Sequence, residues 1–130
     1  MTVRNGQASL DFYAKAFGFL SEHEPMRDEK GEVTHAGMRL DEACIMFAPQ
    51  GMGSEMRTPK DSGGIGLSLY VYVADVDKHY AQAAAAGAQV LQMPADQFWG
   101  DRIACYLDPD GYHWTFATNV GEFDASKAPH

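Results

Sequence analysis

Apolar positions in the first quarter of the chain recur at helical spacing. In NGQASLDFYAKAF, Asn5 to Phe17, the residues Leu10, Tyr13, Ala14 and Phe17 share one face, with Asn5 ahead as a cap and Gly18 behind as a stop. The period then shortens to two. Phe19 to Glu24, Val33 to Leu40 and Ala43 to Ala48 read as strands, with a charged turn at Arg27 to Gly31. Residues 49 to 65, PQGMGSEMRTPKDSGGI, hold no period and are rich in Gly, Pro and Ser, as a connection would be. Beyond it the pattern restarts. Leu67 to Val73 reads as a strand, Val76 to Ala86 as a helix stopped by Gly87, and Gln89 to Met93, Asp101 to Leu107 and Tyr112 to Thr118 as three strands.

The restart is a repeat. Val3-x-Asn5 is answered by Val73-x-Asp75, 70 positions later, and Gly18 by Gly87, 69 positions later. The chain therefore reads as an α+β protein of two tandem βαβββ modules: module one about 1–48, the connection about 49–65, module two about 66–120 and a tail over 121–130. Only Met1 to Val3 stand where module two has a full opening strand, so the first strand is abbreviated or the natural chain begins upstream.

Composition narrows the partners. Ten basic against eighteen acidic residues give a net charge of −8, which repels phosphate backbones and anionic membranes. No apolar run approaches the roughly 20 residues of a membrane helix, and no signal pattern opens the chain. The expectation is a cytoplasmic protein that binds neither nucleic acid nor membrane. Cys44 and Cys105 lie far apart outside any CxxC or Cys/His cluster, and are expected as free buried thiols rather than zinc ligands or a disulfide.

FYAKAFGF in the first module and DPDGYHWTFAT in the second, set in two βαβββ units, resemble the glyoxalase/bleomycin-resistance/dioxygenase (vicinal oxygen chelate) superfamily. AGAQV, FWGDR and DPDGYHWTFAT together are similar to its PhnB-like branch. The resemblance implies incomplete barrels around a cavity, a divalent metal held by residues of the first and last strands of each module, and twofold dimers. Carried onto this chain, the ligand positions fall on Thr115, four residues after Gly111, on its first-module counterpart Met46, and on Ser68. The remaining position would precede Met1. Thr, Ser and Met do not replace the imidazoles and carboxylates that such a site needs, so neither metal nor cofactor is expected.

Those positions also set the strand faces, because residues two apart share a side. Thr115 carries His113 and Ala117 to the cavity side and sends Tyr112, Trp114 and Phe116 to the core. Ser68 carries Tyr70 and Tyr72, opposed by Leu69, Val71 and Val73. Met46 carries Cys44 and Ala48, opposed by Ile45 and Phe47, and on the neighbouring strand His35, Gly37 and Arg39 are opposed by Ala36, Met38 and Leu40. Trp99 of FWGD either roofs the cavity or anchors its loop, with Arg102 paired to Asp101 or Asp108. The ligand-binding candidates are thus His35, Arg39, Met46, Ser68, Tyr70, Tyr72, Trp99, His113 and Thr115.

This lining suits a small organic molecule, aromatic or amphipathic. The expected function is metal-free binding of such a compound in a homodimer that buries the edge left by the short first strand. One alternative is a metal-dependent glyoxalase- or dioxygenase-like enzyme with an atypical ligand set, or one whose acid/base work falls to His35 or His113. Another is a protein-interaction module with a vestigial cavity. Whether any reaction is catalysed stays open at this point.

Overall fold

Asn5 opens the first helix with its side chain. Its Oδ1 accepts the Ala8 amide at 2.9 Å, and Gly18 at φ 80° closes α1 (Gly6–Phe17), donating back to Ala14. A computed structural model describes residues 1–51, 56–63 and 68–127. Leu67, parts of the connection and the end of the tail lie outside the described residues.

Module one has β1 (Thr2–Val3), α1, β2 (Leu20–Ser21), β3 (Met26–Arg27), β4 (Val33–Leu40) and β5 (Ala43–Pro49). Module two has β6 (Ser68–Tyr72), α3 (Val76–Ala85), β7 (Gln89–Asp96), β8 (Asp101–Leu107) and β9 (His113–Asn119), and a short helix α2 (Pro59–Ser62) lies in the connection. The sheets repeat one plan. In the first, the order is β1-β5-β4-β2 with β3 also on β4; in the second it is β6-β9-β8-β7. The opening strand is parallel to the last strand in both. Both sheets are open rather than closed barrels.

The strand expected over Phe19 to Glu24 shrinks to Leu20–Ser21, and Met26–Arg27 form a second short strand where Arg27 was expected to open a charged turn. Leu20 and Ser21 pair with Arg39 and Met38, while Met26 and Arg27 pair with His35 and Val33. Pro25, which has no N–H for the ladder, stands in the gap.

The packed faces of both sheets share one core with the helices. Phe47, Ala36 and Met38 from the first sheet and Val71, Tyr106, Trp114 and Phe116 from the second join Leu10, Tyr13, Ala16 and Phe17 of α1 in it. On α1 the buried position is Ala16, not Ala14, which is exposed. The Tyr13 ring lies 5.7 Å from Phe47 and 5.4 Å from Trp114, so one helical residue touches both sheets. Phe17 continues the stack at 5.3 Å from Trp114 and 4.8 Å from Phe116. The alternation read for Tyr112, Trp114 and Phe116 agrees with this, since all three lie in the shared core while Ala117, equally buried, belongs to a separate cluster.

The short β1 does not leave an unpaired edge, which corrects the argument for a dimer built on it. The Tyr112 hydroxyl accepts the Thr2 N–H at 3.1 Å and donates to the Thr2 carbonyl at 2.8 Å, and the Asp110 carboxylate accepts the Arg4 N–H at 3.0 Å. Side chains of module two thus satisfy the backbone of module one.

His79 of α3 is buried in the shared core, 4.2 Å from the Phe116 ring, with Nε2 donating to the Phe17 carbonyl at 2.8 Å. Burial lowers its proton affinity below the ordinary 6.5, although the Phe17 bond works the other way. The unfolded chain takes up a proton near 6.5 and the folded chain only at lower pH. The stability due to a neutral His79 is therefore fully present above that value and is lost as pH falls towards the folded one. Denaturant melts of wild type and His79→Gln should diverge below about pH 6.5, the wild type losing up to about 1.4 kcal/mol more per pH unit; parallel curves would refute the assignment. In the same core, Trp114→Ala should cost roughly 3–5 kcal/mol, checked by the same melts.

Candidate functional site

The faces turned away from the shared core are open, and they carry the candidate residues in two separate sets. On the first sheet, Arg39, Cys44 and Met46 are exposed, and His35 is half-buried. Glu22, from the break between β2 and β3, accepts from Arg39 Nε at 2.8 Å and from the Cys44 thiol at 3.2 Å. The Cys44 bond and then Arg39 hold the Glu22 carboxyl below its usual range, and the same carboxylate pushes the Cys44 thiol up. Cys44 is thus exposed, contrary to the expectation of burial, but it stays protonated and is a poor nucleophile. The His35 ring stacks on His23, with centroids 6.4 Å apart, and its Nδ1 has no hydrogen-bond partner among the described residues.

On the second sheet the open face has a built centre that the sequence reading missed. Asp101, 2% exposed, accepts from the Tyr70 hydroxyl at 2.6 Å and the Tyr72 hydroxyl at 2.8 Å through one oxygen, and from Asn119 at 3.3 Å through the other. The Trp99 indole N–H donates to the Tyr70 hydroxyl at 3.1 Å. Burial pushes the Asp101 carboxyl up, but the bonds from Tyr70, Tyr72 and Asn119 outweigh it and hold the group below its usual range, so it is an anion. Burial and the Asp101 bond push the Tyr70 hydroxyl up, which keeps it a donor. The two rings meet edge to face at 5.6 Å and stay 44% and 58% exposed.

Strand register explains the arrangement. Asp101 pairs with Asn119, Ile103 with Ala117 and Cys105 with Thr115, while Tyr70 and Tyr72 stand opposite Thr115 and Ala117 from β6. All of these residues point to one side. Ile103, Cys105 and Ala117 form a small buried floor on which Trp99 packs. Gly100, at φ 97°, sets the loop: a Cβ there would lie 2.6 Å from the Gly121 carbonyl oxygen. Alternation from Ile103 through FWGDRI would have placed Asp101 beside the tyrosines. Arg102 pairs with Asp77 at 2.9 Å and Asp96 at 3.1 Å, not with Asp101 or Asp108.

No hydrogen bond or ring contact among the described residues joins His35, Arg39 and Met46 to Tyr70 and Tyr72. What module one does bring to the tyrosines is the β4–β5 turn. Asp41, Glu42 and Ala43 face Tyr70, Val71, Tyr72 and Ala74 across a groove of about 560 Å³. Ser68 is exposed at the start of β6, opposite a half-buried His113 whose Nδ1 has no partner among the described residues.

The residues at the implied metal positions do not fit a metal. Thr115 is buried with its hydroxyl 3.4 Å from the Cys105 sulfur, whereas Ser68 and Met46 are exposed on different sheets. A thioether and two alcohols on separate faces are not the nitrogen and carboxylate donors of an open divalent site. Among the described residues no group of three or more His, Cys, Asp or Glu is placed to hold an ion, and no helix is long and apolar enough to cross a membrane.

Comparison with known proteins agrees with the architecture. The sequence profile of the glyoxalase/bleomycin resistance protein/dioxygenase superfamily matches residues 1–116. An uncharacterized protein of Mycobacterium bovis is 34% identical over 130 residues, covering 98% of this chain and 85% of that protein. Among solved structures, TioX from Micromonospora sp. ML1 superposes with a TM-score of 0.74 at 24% identity, over 92% of this chain and 94% of that one. A superfamily enzyme from Burkholderia phytofirmans PsJN gives a TM-score of 0.69 at 24% identity and the same coverage. At these identities the two structures speak for the fold alone.

Placing a carboxylate at the implied ligand position should damage the protein rather than create a site. Thr115→Glu buries a charge where Cys105 is the one side-chain hydrogen-bond partner among the described residues, and is expected to cost roughly 3–5 kcal/mol in a denaturant melt, with no recovery on adding Zn²⁺ or Ni²⁺. Wild-type stability, or rescue by one equivalent of metal, would contradict this.

Proposed function

Because the chain belongs to the glyoxalase/bleomycin resistance protein/dioxygenase superfamily, whose members generally bind small molecules, we propose that it is a metal-free binding protein for an aromatic or amphipathic organic compound, acting in the cytoplasm. The observation that carries this reading is the exposed Tyr70–Tyr72 pair, held by a buried carboxylate at the edge of a groove. Exposed phenols ordinarily rotate. Here both hydroxyls are tied to Asp101, so the rings are fixed before a ligand arrives and little side-chain entropy is lost on binding. Flat apolar faces with a polar rim suit a compound of mixed character.

The same reading extends to a homodimer, on grounds other than the edge of β1. Met46, Tyr70, Tyr72, Leu91 and Met93 are all 44% exposed or more in the single chain. Two copies that place open faces against each other would cover this apolar surface and enclose the groove. Light scattering at micromolar concentration should give a dimer; a monomer would remove this part of the proposal.

The tyrosines can be tested without confusing binding with folding. Tyr72→Phe and Tyr72→Ala each take one hydrogen bond from Asp101, so the difference between them isolates the ring. Calorimetry with a bound aromatic amphiphile should show Tyr72→Phe close to wild type and Tyr72→Ala weaker by about 1–3 kcal/mol, roughly five- to 150-fold. Equal affinities in the two variants would show that the ring does not touch the ligand.

A further inference from the structure

We propose that the groove between the Asp41–Ala43 turn and the Tyr70–Tyr72 strand takes an organic cation, an ammonium or ring-nitrogen cation on an aromatic or amphipathic body. This deepens the binding reading above and rests on it. The direction of the hydrogen bonds carries the inference. Tyr70 and Tyr72 both donate to Asp101, Asn119 donates to Asp101, and the Trp99 N–H is taken by Tyr70. These donors are all spent: the two hydroxyls on one buried carboxylate, the Asn119 amide on that carboxylate and the Gly100 carbonyl, and the indole on the Tyr70 hydroxyl. What Tyr70 and Tyr72 have left for a ligand is therefore oxygen lone pairs and ring faces, with the Asp101 carboxylate hydrogen-bonded to both.

Such a surface offers an anion or a carbonyl no donor from the cluster, whereas a cation meets favourable partners on each count. A phenol that donates to a carboxylate gains electron density in its ring, which strengthens its attraction for a cation over the face. The opposite wall has the same sign. Asp41 and Glu42 line the groove, and neither carboxylate has a hydrogen-bond or ion-pair partner among the described residues. Asp41 is also the one non-glycine residue with positive φ among those described, at 50°, so the turn presenting it is held in an unusual conformation. No lysine or arginine is among the described residues lining the groove. Arg39, whose Nη1 lies 3.5 Å from the Asp41 carbonyl oxygen, is committed to Glu22.

Three probes of one size separate charge from shape: N-methylquinolinium, neutral 1-methylnaphthalene and anionic 1-naphthoate, each measured by equilibrium dialysis against the full chain. The cation should bind at least about tenfold more tightly than the neutral probe and the anion most weakly, with the cation's advantage shrinking at high salt. In the Asp41→Asn/Glu42→Gln double variant, altered only at an exposed turn, the advantage should fall severalfold. Asp101→Asn should reduce it further. Should Asp101→Asn not fold, the double variant decides alone. A neutral probe that binds as tightly as the cation would overturn this inference while leaving small-molecule binding intact; failure of all three probes to bind would overturn both. An advantage unchanged in the double variant would overturn the assignment to this groove.

Discussion

The buried carboxylate of Asp108 fixes how the two halves of this protein meet. One oxygen accepts from the Tyr13 hydroxyl at 2.6 Å and the Trp114 indole at 2.9 Å, and the other from the amides of Asp110 and Tyr112. Tyr13 belongs to the first module's helix and Trp114 to the last strand of the second, so a single side chain ties the modules through the two largest residues of their shared core. Burial and the nearby carboxylate push the Tyr13 hydroxyl far up, so it remains a donor. Every bond that Asp108 needs is supplied, which makes a buried charge tolerable there.

With the packed faces turned to the common core, the other face of each sheet is left open. On the second sheet the chemistry of the core is repeated there with a different outcome. Asp108 takes one tyrosine hydroxyl and a tryptophan; Asp101 takes two tyrosine hydroxyls beside a tryptophan, but its tyrosines are half exposed. The first aspartate organises a core and the second a surface. Both lie on the second module, one at each end of β8 and its following turn, so the register of one strand pair positions the junction and the candidate site together.

Much of the fold was legible because it rests on periodicity. The repeat, the helix caps at Asn5 and Gly18, and the alternation of Trp114 and Phe116 against Thr115 and Ala117 are local patterns, and the structure follows them. Two kinds of feature were not. The strand expected to reach Glu24 stops at Ser21, and pairing resumes only past Pro25, which has no N–H for the ladder. The tyrosines that donate to Asp101 and Asp108, and the Thr2 backbone that Tyr112 meets, lie 29 to 110 positions away, and no pattern along the chain encodes such meetings. DPDG reads as a turn from its residues alone. That its first carboxylate clamps two modules depends on which strands come together.

Ligand binding on the open face of the second sheet, as proposed above, leaves the shared core untouched. The two tryptophans report on these places separately, since Trp99 packs on the open-face floor and Trp114 lies in the core. Two-dimensional nitrogen–proton NMR during titration with an aromatic amphiphile tests it directly. The Trp99 indole signal should move progressively while that of Trp114 stays in place. Movement of Trp114 with Trp99 unchanged would contradict it.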